Sequence, residues 1–130
     1  MVTIGFMGFA DNDQKRAEPI HFEAAEVLGV PVGLELVGLR ALRYTSRGEG
    51  IGMIRGDISL TNPGKYDFRP VSEAVFYPGK VDDWLLAGTF RSFKPGHYLT
   101  KGLRVWWRQG NRHGTQDFDY RFELEVVPAP

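Results

Sequence analysis

The sequence predicts an all-β fold: one antiparallel β-sandwich, jelly-roll-like, of about eight strands. Three observations predict it. Sixteen glycines and eight prolines are spread along the 130 residues rather than pooled in a linker. Three Pro-Gly pairs, Pro63-Gly64, Pro78-Gly79 and Pro95-Gly96, suit turns, because proline presets one φ and glycine accepts a positive one. Between these marks the hydrophobic period is mostly two, the period of a strand with one buried face. The chain is also long enough, at 42% hydrophobic residues, to bury one core without covalent staples.

The elements follow in order. Residues 2–9 read as a strand and residues 11–18 as a polar loop. Residues 20–27 alternate through Ile20, Phe22 and Ala24 and read as a strand, although Phe22, Ala24, Ala25 and Leu28 also fit a turn or two of helix. Residues 32–45 make a long strand, and its interleaved Gly33, Gly38 and Ala41 suit a bend or bulge. A turn at 46–50 leads to a strand at 51–60. Residues 66–68 and 71–77 flank Arg69-Pro70, and a proline there belongs on an edge or at a kink. Residues 84–93 form the next strand.

The final hairpin carries the clearest pattern. Phe118, Tyr120, Phe122, Leu124 and Val126 alternate with Asp119, Arg121, Glu123 and Glu125. Upstream, Leu103, Val105 and Trp107 share one face, and Arg104, Trp106 and Arg108 share the other. With residues 109–116 as the loop, one register sets Trp107 across from Tyr120 and Val105 across from Phe122. It also sets Arg108 across from Asp119 and Arg104 across from Glu123, each pair worth up to about 1 kcal/mol. A small closed barrel is the alternative architecture. Pro70 and the long loops favour open edges and hence a sandwich.

Chemistry is sparse. Without cysteine the chain has no disulfide, thiolate nucleophile or thiolate metal site. No phosphate loop, dinucleotide fingerprint, nucleophile elbow or His-Glu-x-x-His motif is present. Gly48 to Gly52 lacks the lysine of a phosphate cradle and reads as a hairpin tip. His21, His97 and His113 stand apart, so neither a metal site nor a cofactor is expected. Asp11, Asn12, Asp13 and Glu18 lack the full ladder of a calcium loop, and Asp82-Asp83 reads as a solvated loop. No catalytic constellation emerges. Formal net charge is zero, which argues against a global field for nucleic acid or anionic lipid. Nothing approaches the roughly 18 apolar residues of a membrane-spanning helix, and no signal peptide is visible, so a cytoplasmic location is expected.

One stretch departs from a plain core-and-surface pattern: Arg104-Val105-Trp106-Trp107-Arg108, continued by Arg112 and His113. Adjacent residues of a strand point to opposite faces, so only one of the two tryptophans serves the core. The phase of the hairpin gives that role to Trp107 and leaves Trp106 on the charged face. A tryptophan among arginines can anchor a protein, stack a sugar or stack a base. It can equally be covered by arginine stems. Arginine outnumbers lysine eleven to five, which mildly favours an interface.

The expectation is a non-catalytic binding or assembly module. It would act through a sheet face, with a protein partner or a second copy of itself. Its candidate site is Trp106, Arg104, Arg108, Arg112 and His113, with Trp84 and Tyr98 as further platform residues. A carbohydrate or small-ligand module is the first alternative. A small barrel enzyme that works by pocket shape, with His97 or a carboxylate as acid–base, is the second.

Overall fold

A computed structural model describes residues 2–6, 18–43, 53–55, 67–77 and 84–128. The described chain is almost entirely strand. In order these are β1 (Val2–Phe6), β2 (Ile20–Leu28), β3 (Leu34–Arg43), β4 (Met53–Arg55), β5 (Asp67–Arg69), β6 (Val75–Phe76), β7 (Trp84–Ser92), β8 (Gly96–Leu99), β9 (Gly102–Gln109), β10 (Arg112–Phe118) and β11 (Glu123–Val126). One 3₁₀ turn, Val71–Glu73, precedes β6.

All pairings are antiparallel and build three open sheets. Five strands run β4-β1-β7-β3-β5, four run β10-β9-β2-β6, and β11 pairs with β8 alone. Among the described residues the sheets do not close into a barrel. They share one core: Ile4, Phe6, Leu34, Leu86 and Phe90 from the first sheet meet Phe22, Phe76, Leu103 and Val105 from the second, with Tyr98 of the small sheet. The architecture is thus an all-β sandwich.

β7 organises the larger sheet. Its sequence Trp-Leu-Leu-Ala-Gly-Thr-Phe is apolar almost without interruption, the pattern of a strand covered on both faces. Trp84, Leu86 and Phe90 enter the shared core. Leu85 and Ala87 point the other way and are buried too, as are Leu42 and Thr3 beside them. Thr3 and Thr89 face each other across β1 and β7, their hydroxyls 3.2 Å apart.

Several expectations hold. Residues 20–28 are a strand, not a helix. β3 carries an irregularity between Leu36 and Gly38, where the glycine-spaced sequence suggested a bulge. Pro70 follows β5, which is an edge strand. Other expectations change. The described strands number eleven rather than about eight. Gly96 begins β8 and lacks a positive φ; among the described residues the positive-φ glycines are Gly29, Gly33, Gly102 and Gly110. The expected turns at 46–50, 63–64 and 78–79, the loop at 11–17 and the pair Asp82-Asp83 lie outside the described residues, as does most of the strand at 51–60.

The final hairpin is the main correction. The segment read as a loop, 109–116, is mostly strand. β9 turns into β10 through Gly110 and Asn111, with Gln109 paired to Arg112. Gly110 has φ +60°, which fits the glycine-first pattern of a two-residue type II′ turn. This local closure pairs Trp107 with Gly114, Val105 with Gln116, Arg104 with Asp117 and Arg108 with His113. The downstream alternation still faces the core, where Phe122, Leu124 and Val126 pack. Its partner, however, is β8, with Leu124 opposite Tyr98. Phe122 lies edge-on to Phe90, with ring centroids 5.0 Å apart.

Candidate binding face

The four-stranded sheet positions the candidate site. β9 runs between β2 and β10, and alternation sends Leu103, Val105 and Trp107 to the core. Trp107 lies over Gly114 so closely that a Cβ there would stand 2.3 Å from its Cζ2. The missing side chain on β10 is the space that the indole occupies. The opposite face receives Arg104, Trp106 and Arg108. The expected phase of the two tryptophans therefore holds, although the expected pairing does not.

Trp106 sits at the middle of this outer face. It is opposite Ala24 of β2 and Thr115 of β10, two short side chains. It is partly buried rather than fully exposed, and it is not among the residues that pack against the core. The register shift in β2 between Phe22 and Ala24 adds Glu23 to this face. That bulge keeps Phe22 in the core while redirecting the next side chains outward.

Ion pairs frame the tryptophan on both sides. Toward one end, Arg104 Nε and Nη2 donate to the two carboxylate oxygens of Asp117 at 2.7 and 3.0 Å. The same guanidinium stands 3.7 Å from Glu26 of β2. The Asp117 hydrogen bond raises the pKa of Arg104, and the Arg104 hydrogen bond lowers that of Asp117. Toward the other end, His113 Nδ1 and Glu23 Oε1 are 3.0 Å apart, a contact that spans from β10 to β2 across β9. Arg108 lies opposite His113 and His21 and has no carboxylate partner among the described residues. Arg112 turns away, donating to Gln109 Oε1 at 3.0 Å beside the hairpin tip.

Among the described residues no guanidinium is seen over the Trp106 ring. Arg104 commits its fork to Asp117. The cation–π contacts among the described residues lie elsewhere, Arg43 over Trp84 and Arg91 over Phe93. The remaining candidates separate from this face. Trp84 is 9% exposed and belongs to the core of the larger sheet. Tyr98 is 4% exposed, and its hydroxyl donates to the Lys94 carbonyl at 2.5 Å, which satisfies the one polar atom of a core side chain. His97 is on the small sheet, 3.6 Å from Glu123. The structure thus brings Trp106, Arg104, Arg108 and His113 together, and Trp84 and Tyr98 do not join them.

Glu23, Glu26, Thr115 and Asp117 complete the face, and sequence reasoning missed them. Among the described residues no group of three or more His, Asp or Glu side chains could hold a metal ion. Among them too, no helix is long and apolar enough to cross a membrane. The arrangement offers an indole, a guanidinium with no carboxylate partner among the described residues, and paired charges of both signs. No family model matches this chain, and no curated protein or solved structure does either.

Proposed function

We propose that this domain is a non-catalytic binding module that engages a protein partner through the outer face of the four-stranded sheet. The observation that carries this reading is Trp106, placed at the centre of that face and outside the core packing. Tryptophan with neighbouring arginine is the composition of an interface anchor, where a few side chains supply most of the binding energy. The paired charges around it suit a rim that sets orientation and rejects wrong partners. A protein is favoured over a sugar because paired charges of both signs frame the ring, the arrangement of an interface rim. A protein partner needs only the indole and Arg108.

A photo-crosslinking residue at Arg108 tests this, with one at Val127 as the control. The expected result is one recurrent partner captured from position 108 and not from 127. Trp106→Ala is expected to weaken its affinity about 30-fold or more, the effect of losing an anchor worth about 2 kcal/mol. Equal affinity of wild type and Trp106→Ala for that partner would contradict the reading. Saturable binding in a glycan array, lost in Trp106→Ala, would replace it with a carbohydrate-binding role.

A further inference from the structure

The outer face of β9 is not electrically uniform along its length. Register divides it into three rows that cross β2, β9 and β10. The first row is His21, Arg108 and His113. The second is Ala24, Trp106 and Thr115. The third is Glu26, Arg104 and Asp117. Successive rows are two residues apart, about 7 Å along the strand.

The end rows differ in sign. In the third, one guanidinium stands between two carboxylates, 2.7 Å from Asp117 and 3.7 Å from Glu26, so the row carries an excess negative charge. In the first, Arg108 stands between two imidazoles and has no carboxylate partner among the described residues. Glu23, which the bulge of β2 adds to this face, is turned to His113, 3.0 Å from its Nδ1. The Arg108 guanidinium therefore sets the sign of that end. The face runs positive, aromatic, negative, one step every second residue. An extended chain has the same repeat: its residues i, i+2 and i+4 point one way at the same spacing of about 7 Å.

From this we infer that the face takes an extended segment of the partner protein whose side chains run acidic, apolar and basic at every second residue. Its carboxylate accepts the paired N–H groups of Arg108, the geometry that a guanidinium fork favours. Its apolar side chain covers Trp106, and its cation meets Glu26 and Asp117. Contact through a sheet face uses no backbone ladder, so either chain direction serves. That assignment rests on the protein-partner reading of the face and adds the chemistry of the partner. Nucleic acid fits worse, because its charges all have one sign: with one phosphate at Arg108, the next approaches the carboxylates of the third row. A neutral sugar answers neither charged row.

Synthetic peptides titrated into the whole chain, followed by NMR at the backbone amides of β9, test this. The parent probe is Gly-Ser-Glu-Thr-Phe-Thr-Lys-Ser-Gly. Three others replace its Glu by Gln, its Glu by Lys, or its Phe by Ser. The parent is expected to bind about 10-fold more tightly than the Gln peptide, the effect of one charged hydrogen-bonded pair, and the Lys peptide to bind more weakly still. In Arg108→Gln the parent and the Gln peptide are expected to bind alike. Equal binding of these two to wild type, a preference for the parent that survives Arg108→Gln, or no binding of any peptide at about 1 mM would each overturn the assignment. The Trp106 reading fails differently. It stands while the Ser peptide, and the Trp106→Ala variant with the parent, bind more weakly than the parent does to wild type. Binding indifferent to both of those changes would overturn that reading and this one together.

Discussion

The two sheets treat their outer faces differently. In the five-stranded sheet both faces of β7 are buried, with Leu86 and Phe90 on one side and Leu85 and Ala87 on the other. In the four-stranded sheet one face of β9 is core, and the other carries Arg104, Trp106 and Arg108 among ion pairs. A strand buried on both faces has its residue types dictated by packing. A strand buried on one face leaves the other to be explained separately. Charge and solubility explain Arg104 and Arg108, but they do not explain a tryptophan. The contrast is why the smaller sheet, and not the larger, carries the functional proposal.

The largest effects should come from the doubly covered sheet. Phe90→Ala removes a ring that is 0% exposed and touches Phe122; it is expected to destabilise the fold by about 3–5 kcal/mol. Leu85→Ala, on the opposite face of the same strand, should cost about 2–5 kcal/mol. Chemical denaturation measures both. A negligible effect of Leu85→Ala would break the comparison, because that face would then not be packed.

Gly114→Ala should come next. The new Cβ would collide with the Trp107 ring, a cost of about 1–3 kcal/mol, and the indole must shift. A changed tryptophan emission maximum together with a lowered midpoint is the expected outcome. Its absence would mean that Trp107 does not use the space above Gly114.

The smallest effect concerns the rim. Arg104 holds the Asp117 carboxyl below its ordinary value. A lowered carboxylate pKa contributes stability above the ordinary range, and the contribution fades as the pH falls through the lowered value. Wild type should therefore lose slightly more stability than Asp117→Asn from about pH 4 downward. The pair is solvent-exposed, so the difference should be small and should shrink with added salt. Identical thermal unfolding profiles of the two proteins across that range would remove the ion pair from the account.

Much of the fold was legible in local pattern. The face that each residue of 103–108 presents, and the inward set Phe122, Leu124 and Val126, follow from period two alone. The partner strand did not. β10 reads Arg-His-Gly-Thr-Gln-Asp-Phe and carries almost no apolar alternation. Its one inward gap, Gly114, is filled by a side chain from β9 rather than by its own. An edge strand exposed on most sides looks like a loop in sequence, and here the strong apolar alternation at 118–126 drew the pairing toward itself. Only Gly110-Asn111 marked the tighter turn. The candidate site suffered the same way. Arg104, Trp106, Arg108 and His113 were visible because they are close in sequence. Glu23 and Glu26 reach the face through the nonlocal pairing of β2 with β9, and Glu23 through a bulge as well. Trp84 and Tyr98 looked like platform residues because an aromatic beside a turn carries no mark of its burial.

The central claim is that the adjacent tryptophans have separate duties, Trp107 to the core and Trp106 to the surface. Equilibrium denaturation of Trp106→Ala and Trp107→Ala, side by side, tests it most directly. Trp107→Ala is expected to lose about 3 kcal/mol or more, and Trp106→Ala less than about 1 kcal/mol. Equal losses in the two variants would show that the fold needs Trp106 as much as Trp107, and would contradict the account.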